Sequence, residues 1–179
     1  MTTFTYFAYG SNMLDERLQD RCPSARSVGL ARAPGFYICF EKCSKDKSGK
    51  VTLVKEKTVD MEALGVLFEI DEDEHGCLNE AEKGYDPTGE FIVIRLDTKK
   101  DISVTTYLAN TSTLVDGLFP YDWYLALIVA GAIQHHLPDE YITMLDNGVA
   151  ITDKNLERTE RCRALAALCR GGYMHLYTK

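Results

Sequence analysis

Near the N-terminus, apolar and outward-pointing positions alternate with a period of two. Phe4, Tyr6 and Ala8 fall on one face and Thr5, Phe7 and Tyr9 on the other, so 4–9 is predicted as a strand, with an aromatic bias that suits one. Further strands are predicted at 28–40, 51–56, 63–70, 90–97 and 102–109. Pro34-Gly35 interrupts the second, whose first part therefore reads as a loop leading into a strand. Asp86-Pro87-Thr88-Gly89 reads as a tight turn, and Asp116 to Pro120 as another.

Elsewhere the period lengthens. Met13 to Leu18 is predicted as a helix, with Ser11 and Asn12 as N-caps and Asp15 and Glu16 at its positive end. A short helix begins near Asp71 or Asp73, turns Leu78 and Ala81 inward and stops at Gly84. Tyr121 to His136 carries a broad apolar face that includes Leu125, Ile128, Val129 and Ala132, which predicts a core helix. Pro138 starts another short helix to Leu145. Asp153 to Arg170 is predicted as an amphipathic helix with Leu156, Leu165 and Leu168 inward, ended by Gly171-Gly172. Strands come early and helices late without βαβ alternation, which indicates α+β. No repeat or linker divides the chain, so 1–179 is expected to form one domain.

Two places could carry chemistry. The strand at 4–9 runs into Gly10, which permits a sharp turn, and then into the helix start at Ser11, Asn12 and Met13. Such a corner presents N–H groups without an internal partner, able to receive a carboxylate or a developing oxyanion. The second place is Glu82, in the last turn of its helix beside the inward face. The negative end of the helix dipole and partial burial both favour the protonated form there, which suits a group that accepts and returns a proton near neutral pH.

Charge and composition narrow the possibilities. A net charge of −7 argues against nonspecific binding to nucleic acid or anionic membranes. The longest apolar run, Leu125 to Ile133, is about half of the ~20 residues that a membrane span needs. Met1 to Phe4 holds no basic region before an apolar stretch, so no signal peptide is expected and the protein is expected to be cytoplasmic. The cysteines at 22, 39, 43, 77, 162 and 169 form no Cys-x-x-Cys pair and no zinc spacing, and are expected to be reduced and mostly buried, with Cys43 exposed in a polar loop. His135 and His136 diverge on their helix, His75 and His175 stand apart, and no metal site is expected. No dinucleotide-binding, Walker or Gly-x-Ser-x-Gly motif is present. The lysine-rich stretch from Lys42 to Lys57 is expected to be a solvated hairpin turning at Lys45 to Gly49, its other reading being a basic lip over an anionic substrate.

Taken together, Tyr9-Gly10-Ser11-Asn12 and the glutamate-rich run ending at Glu82 and Gly84 resemble the γ-glutamylcyclotransferases, within the AIG2-like superfamily. Gly65 to Ile70 is similar to the strand before the family's catalytic helix, and Thr106-Tyr107-Leu108 to its later tyrosine-bearing strand. Tyr124, Gly131-Ala132 and Leu137 to Tyr141 are similar to the C-terminal helical region of the glutathione-pathway branch, so the likeness runs in order over about 4–146. Phe91 stands where that branch often carries a tyrosine, and Tyr85 precedes it.

The resemblance implies a small mixed β-barrel with flanking helices and a site at one mouth. It implies Glu82 as the catalytic acid and base, and Tyr9, Gly10, Ser11, Asn12, Met13, Tyr107 and Tyr124 as substrate-binding residues. The reaction is closure of a γ-glutamyl amino acid or peptide to 5-oxoproline with release of an amine, which needs no cofactor and no metal. Two alternatives are removal of a γ-glutamyl group from an amine or biosynthetic intermediate, and non-catalytic binding of an acidic metabolite. The expected partner is a small γ-glutamyl substrate, with no nucleic acid and no membrane, and the protein acting as monomer or homodimer.

Overall fold

Five strands close on themselves. In the computed structural model, which describes residues 2–56 and 61–178, these are β1 (Thr3–Ala8), β2 (Arg26–Pro34), β5 (Glu62–Asp71), β6 (Tyr85–Arg95) and β7 (Asp101–Ala109). Around the ring β1 pairs with β7, β7 with β6, β6 with β2, β2 with β5, and β5 again with β1. The β1–β7 pairing is parallel and the other four are antiparallel, so this is a mixed barrel. Closure leaves the ring without a free edge. The expected barrel is the one observed.

The remaining strands, β3 (Phe36–Cys43) and β4 (Gly49–Lys55), form a hairpin joined to the start of β5 through Phe36 and Glu62. The single strand expected over 28–40 is therefore two, running in opposite senses either side of Gly35. The hairpin turn lies at Ser44 to Ser48, as expected, whereas Lys57 lies outside the described residues. The turn expected at Asp86 to Gly89 is instead the first part of β6. Pro87 faces Tyr107 across the ladder, and a register shift between Thr88 and Phe91 absorbs Gly89 and Glu90.

The helices pack outside the barrel: α1 (Asp15–Gln19), α2 (His75–Ala81), α3 (Asp122–Gln134), α4 (Asp139–Asp146) and α5 (Thr159–Gly171). Ten consecutive residues of α3, Trp123 to Ala132, are buried, so the core helix is surrounded rather than merely one-sided. It packs against α4, α5 and the turn at Ser11–Met13. The C-terminal helix starts at Thr159 rather than Asp153, because Asp153 is held at its own end of the core by Trp123, Asn155 and Arg158. Leu156 consequently lies outside the helix and is exposed, Leu165 is half-buried, and Leu168 is buried as expected. Of the cysteines Cys22 is buried, Cys39 and Cys43 are intermediate, and Cys77, Cys162 and Cys169 are exposed, which corrects both the expectation of mostly buried thiols and that of an exposed Cys43. Among the described residues no helix is long and apolar enough to cross a membrane.

Candidate active site

β1 delivers the chain to one mouth of the barrel, where Gly10 begins a 3₁₀ turn over Ser11–Met13. The loop and its need for glycine are as expected, whereas the expected side-chain caps are not formed. Gly10 has a negative φ of −126°. What demands glycine is close approach, since a Cβ there would sit 2.5 Å from Val51 Cγ1. Neither Ser11 nor Asn12 caps a helix through its side chain. The N–H of Asp15 instead donates to Gln134 Oε1 at 2.9 Å, so α3 supplies the cap.

Asn12 is turned towards Glu82. Its Nδ2 donates to Glu82 Oε1 at 2.7 Å and lies 3.1 Å from the Tyr6 hydroxyl. Arg21 closes a triangle, its Nη1 donating to Asn12 Oδ1 at 2.6 Å and to Glu82 Oε1 at 2.9 Å. Glu82 is the C-cap of α2, and Gly84 follows with φ +93°, the left-handed stop expected there. Leu78 is buried and Ala81 half-buried, so the inward face is as expected. Among the described residues no hydrogen bond reaches the other carboxylate oxygen, Oε2. One oxygen of the carboxylate is fixed and the other is available.

An open cavity adjoins this triangle. Tyr9, Gly10, Ser11, Asn12, Glu82, Tyr107 and Tyr124, all expected at the site, line it. Met13 does not: it is fully buried below the turn, against Gly131 of α3, where an added Cβ would meet Met13 Cβ at 2.6 Å. Three further residues, Tyr6, Val51 and Tyr85, complete the wall. The Val51 backbone joins two of the phenols, its N–H donating to Tyr124 Oη at 3.3 Å and its carbonyl accepting from Tyr85 Oη at 2.8 Å. Tyr9 donates to the Tyr107 carbonyl, and Tyr107 Oη to Asn79 Oδ1 at 2.6 Å.

Burial, helped by the nearby Glu82 charge, pushes the Tyr6, Tyr9 and Tyr107 phenols well above their usual range, and burial is the first cause of the rise of Tyr124 to about 12. For Tyr85, burial and then the neighbouring Tyr124 and Tyr9 act the same way. All five remain neutral hydroxyls at physiological pH, able to donate hydrogen bonds but unsuited to act as bases. Among the described residues no group of three or more His, Cys, Asp or Glu could hold a metal ion.

The AIG2-like family model matches residues 62–145. The gamma-glutamylcyclotransferase of Mus musculus is 32% identical over 145 residues, covering 78% of this chain and 75% of the relative. The gamma-glutamylcyclotransferase of Homo sapiens is 31% identical over 147 residues, with the same two shares. This chain belongs to the γ-glutamylcyclotransferase family. A solved gamma-glutamyl cyclotransferase superposes on it with a TM-score of 0.80 at 26% identity, covering 92% of this chain and 99% of the other.

Membership gives one departure a structural answer. Phe91, where a tyrosine is common in the glutathione-pathway branch, is packed against Phe7 and Phe36 rather than against the cavity. The register shift in β6 separates it from Tyr85, which lines the cavity. Arg21, Tyr6, Tyr85 and Val51 were not expected at the site. Tyr6 was visible as a residue of the same face of β1 as Ala8, and Tyr85 as the neighbour of Gly84. Arg21 carried no such signal.

Proposed function

We propose that this member of the γ-glutamylcyclotransferases converts a γ-glutamyl amino acid or peptide to 5-oxoproline and a free amine. The observation that carries the reading is the clamping of one Glu82 oxygen by Asn12 and Arg21 at the edge of a tyrosine-lined cavity. The fixed oxygen sets the direction of the carboxylate, and the second oxygen is the one that exchanges protons.

Glu82 takes a proton from the substrate α-ammonium. The freed amine attacks the γ-carbonyl carbon, closing a five-membered ring and placing negative charge on the carbonyl oxygen. As the bond to the leaving nitrogen breaks, Glu82 returns its proton to that nitrogen, and the ring nitrogen gives up the second proton of the attacking amine to solvent to become the neutral lactam. Attack within one molecule gives a high effective concentration once the cavity holds the chain folded. The backbone N–H groups of the Gly10–Asn12 loop supply donors for the α-carboxylate and the oxyanion, as do the Tyr6 and Tyr124 hydroxyls, which among the described residues accept a hydrogen bond and donate none. Incubation with a panel of γ-glutamyl amino acids, with 5-oxoproline measured by chromatography, tests this directly. No 5-oxoproline from any of them overturns the reading.

A further inference from the structure

The cavity opens on to a wider groove whose lining opposes the charge of the chain. Seven Lys or Arg side chains and four Asp or Glu side chains line it among the described residues, on a protein of net charge −7. Ser11, Glu82, Tyr85 and Tyr124 line both spaces, so substrate atoms beyond the γ-glutamyl group would enter the groove.

Most of these cations already face a carboxylate. Arg17 lies 3.0 Å from Glu160, Arg21 2.9 Å from Glu82, Lys83 2.5 Å from Glu80 and Arg158 2.6 Å from Asp153. Lys50 lies 3.4 Å from Asp46, with its ammonium 4.6 Å from the Tyr124 ring centre and 4.8 Å from that of Trp123. Lys42 differs. It is 7% exposed, yet among the described residues its ammonium is in no ion pair. It sits 4.7 Å from the centre of the Tyr85 ring, beside Gly84 and hence beside the end of the helix that carries Glu82. Burial lowers the Lys42 pKa, against the opposing pull of the Glu82 charge. A desolvated ammonium without a carboxylate is unfavourable, and that penalty is relieved when an anion arrives.

We propose that Lys42 is a specificity-determining residue whose ammonium receives a carboxylate carried by the leaving portion of the substrate. The preferred substrates are then γ-glutamyl α-amino acids, rather than γ-glutamyl amines that lack a carboxylate. This rests on the cyclotransferase reading above. In an α-amino acid leaving group the carboxylate is one carbon away from the scissile nitrogen. Glu82 must reach that nitrogen to protonate it, and Lys42 stands beside the turn that follows Glu82. The lysine-rich hairpin, expected to be solvated, thus brings Lys42, Lys45 and Lys50 to the groove, and of these Lys42 is the buried one without an ion pair among the described residues.

The test compares γ-glutamylalanine with γ-glutamylethylamide, which differ by that carboxylate alone. Wild type is expected to favour the alanine compound by roughly tenfold or more in kcat/KM, the scale of one charge-assisted hydrogen bond. Lys42→Met should bring the ratio to within about threefold, chiefly through a higher KM for the alanine compound, and Lys42→Arg should keep the preference. Equal kcat/KM in wild type overturns the proposal with no variant needed, so a Lys42→Met chain that fails to fold in a thermal melt does not protect it. A folded Lys42→Met chain that keeps the full preference also overturns it. Release of 5-oxoproline without preference removes only the role of Lys42. No release from any γ-glutamyl compound removes the cyclotransferase reading, and this proposal with it.

Discussion

Arg21 Nη1 lies 2.9 Å from Oε1 of Glu82, although 61 residues separate them in the chain. The same nitrogen donates to Asn12 Oδ1, so one guanidinium locks both the loop after β1 and the carboxylate at the end of α2. Both partners are mostly buried, with side-chain exposures of 18% and 14%. Arg21→Met is therefore expected to cost about 1–3 kcal/mol of stability. It should also lower 5-oxoproline release by more than tenfold, because Glu82 loses its fixed direction. Arg21→Lys should recover part of the rate. A thermal melt and a rate assay on both variants check this, and a full rate for Arg21→Met would show that the clamp is dispensable.

Glu82→Gln keeps the size of the side chain and its ability to accept from Asn12 and Arg21, while removing the exchangeable proton. General acid–base catalysis contributes typically ~10²–10⁴-fold, and one residue here serves two transfers, so the loss should fall at the upper end. Melting temperature should change little. A folded Glu82→Gln enzyme that retains a third of the wild-type rate would reject the assignment.

Gly10 can be tested against its neighbour. Gly10→Ala puts a methyl group 2.5 Å from Val51 Cγ1 and should destabilise the loop and reduce turnover. Val51→Ala removes that methyl and should restore much of what Gly10→Ala loses, giving a positive coupling in a double-mutant cycle. Strictly additive losses would mean that Gly10 is required for backbone freedom rather than for space. Ser11→Ala offers a contrast. With no capping bond to lose, its stability should change by less than about 0.5 kcal/mol, and its rate should fall only modestly. Abolished turnover there, or a covalent γ-glutamyl adduct in a mass spectrum of wild type, would point to a nucleophilic serine.

What the sequence revealed, and what it hid, divides along a physical line. The strand at 4–9, the helix ending at Gly84 and the core helix beginning at Tyr121 each follow from a local period or a single stop signal, and each is present. The segment 86–89 has the local signature of a turn because Pro87 and Gly89 normally break strands, whereas here a bulge tolerates them. Asp153 looked like a helix start because its preference for tertiary partners over helix is invisible locally. Within the site, Glu82 and the Gly10–Asn12 loop were legible from short motifs. The Arg21 contacts were not, since they exist only once the barrel closes, and Lys42 was visible only as part of a stretch whose other reading was a basic lip, since its burial depends on how the hairpin folds against the mouth.

Tyr85 and Phe91 give opposite expectations. Tyr85→Phe loses the 2.8 Å bond to the Val51 carbonyl inside the cavity and should raise KM severalfold, with about 1 kcal/mol of stability lost. Phe91→Tyr would place a hydroxyl in the packing of Phe7 and Phe36, so it should lower the melting temperature without altering substrate preference. A change of preference in Phe91→Tyr would return that position to the binding surface.

Asp153 sets an acid limit to the fold. Its carboxylate is 2% exposed, and burial alone would raise its pKa. Hydrogen bonds from Arg158, the Asn155 N–H and Trp123 Nε1 outweigh burial and hold it below the usual carboxylate range. A depressed folded-state pKa contributes stability that is fully present above the unfolded value, about 4, and is lost as pH falls through the folded value. Asp153→Asn should therefore cost about 2–4 kcal/mol at neutral pH, since it leaves Arg158 without its carboxylate. Thermal melts of both proteins from pH 7 down to pH 3 measure the gap. The gap should hold steady to about pH 4 and begin to narrow below it as the wild-type carboxylate takes up its proton. A gap that stays constant down to pH 3 would mean that the stability of this corner comes from packing around Trp123 rather than from the Asp153 charge.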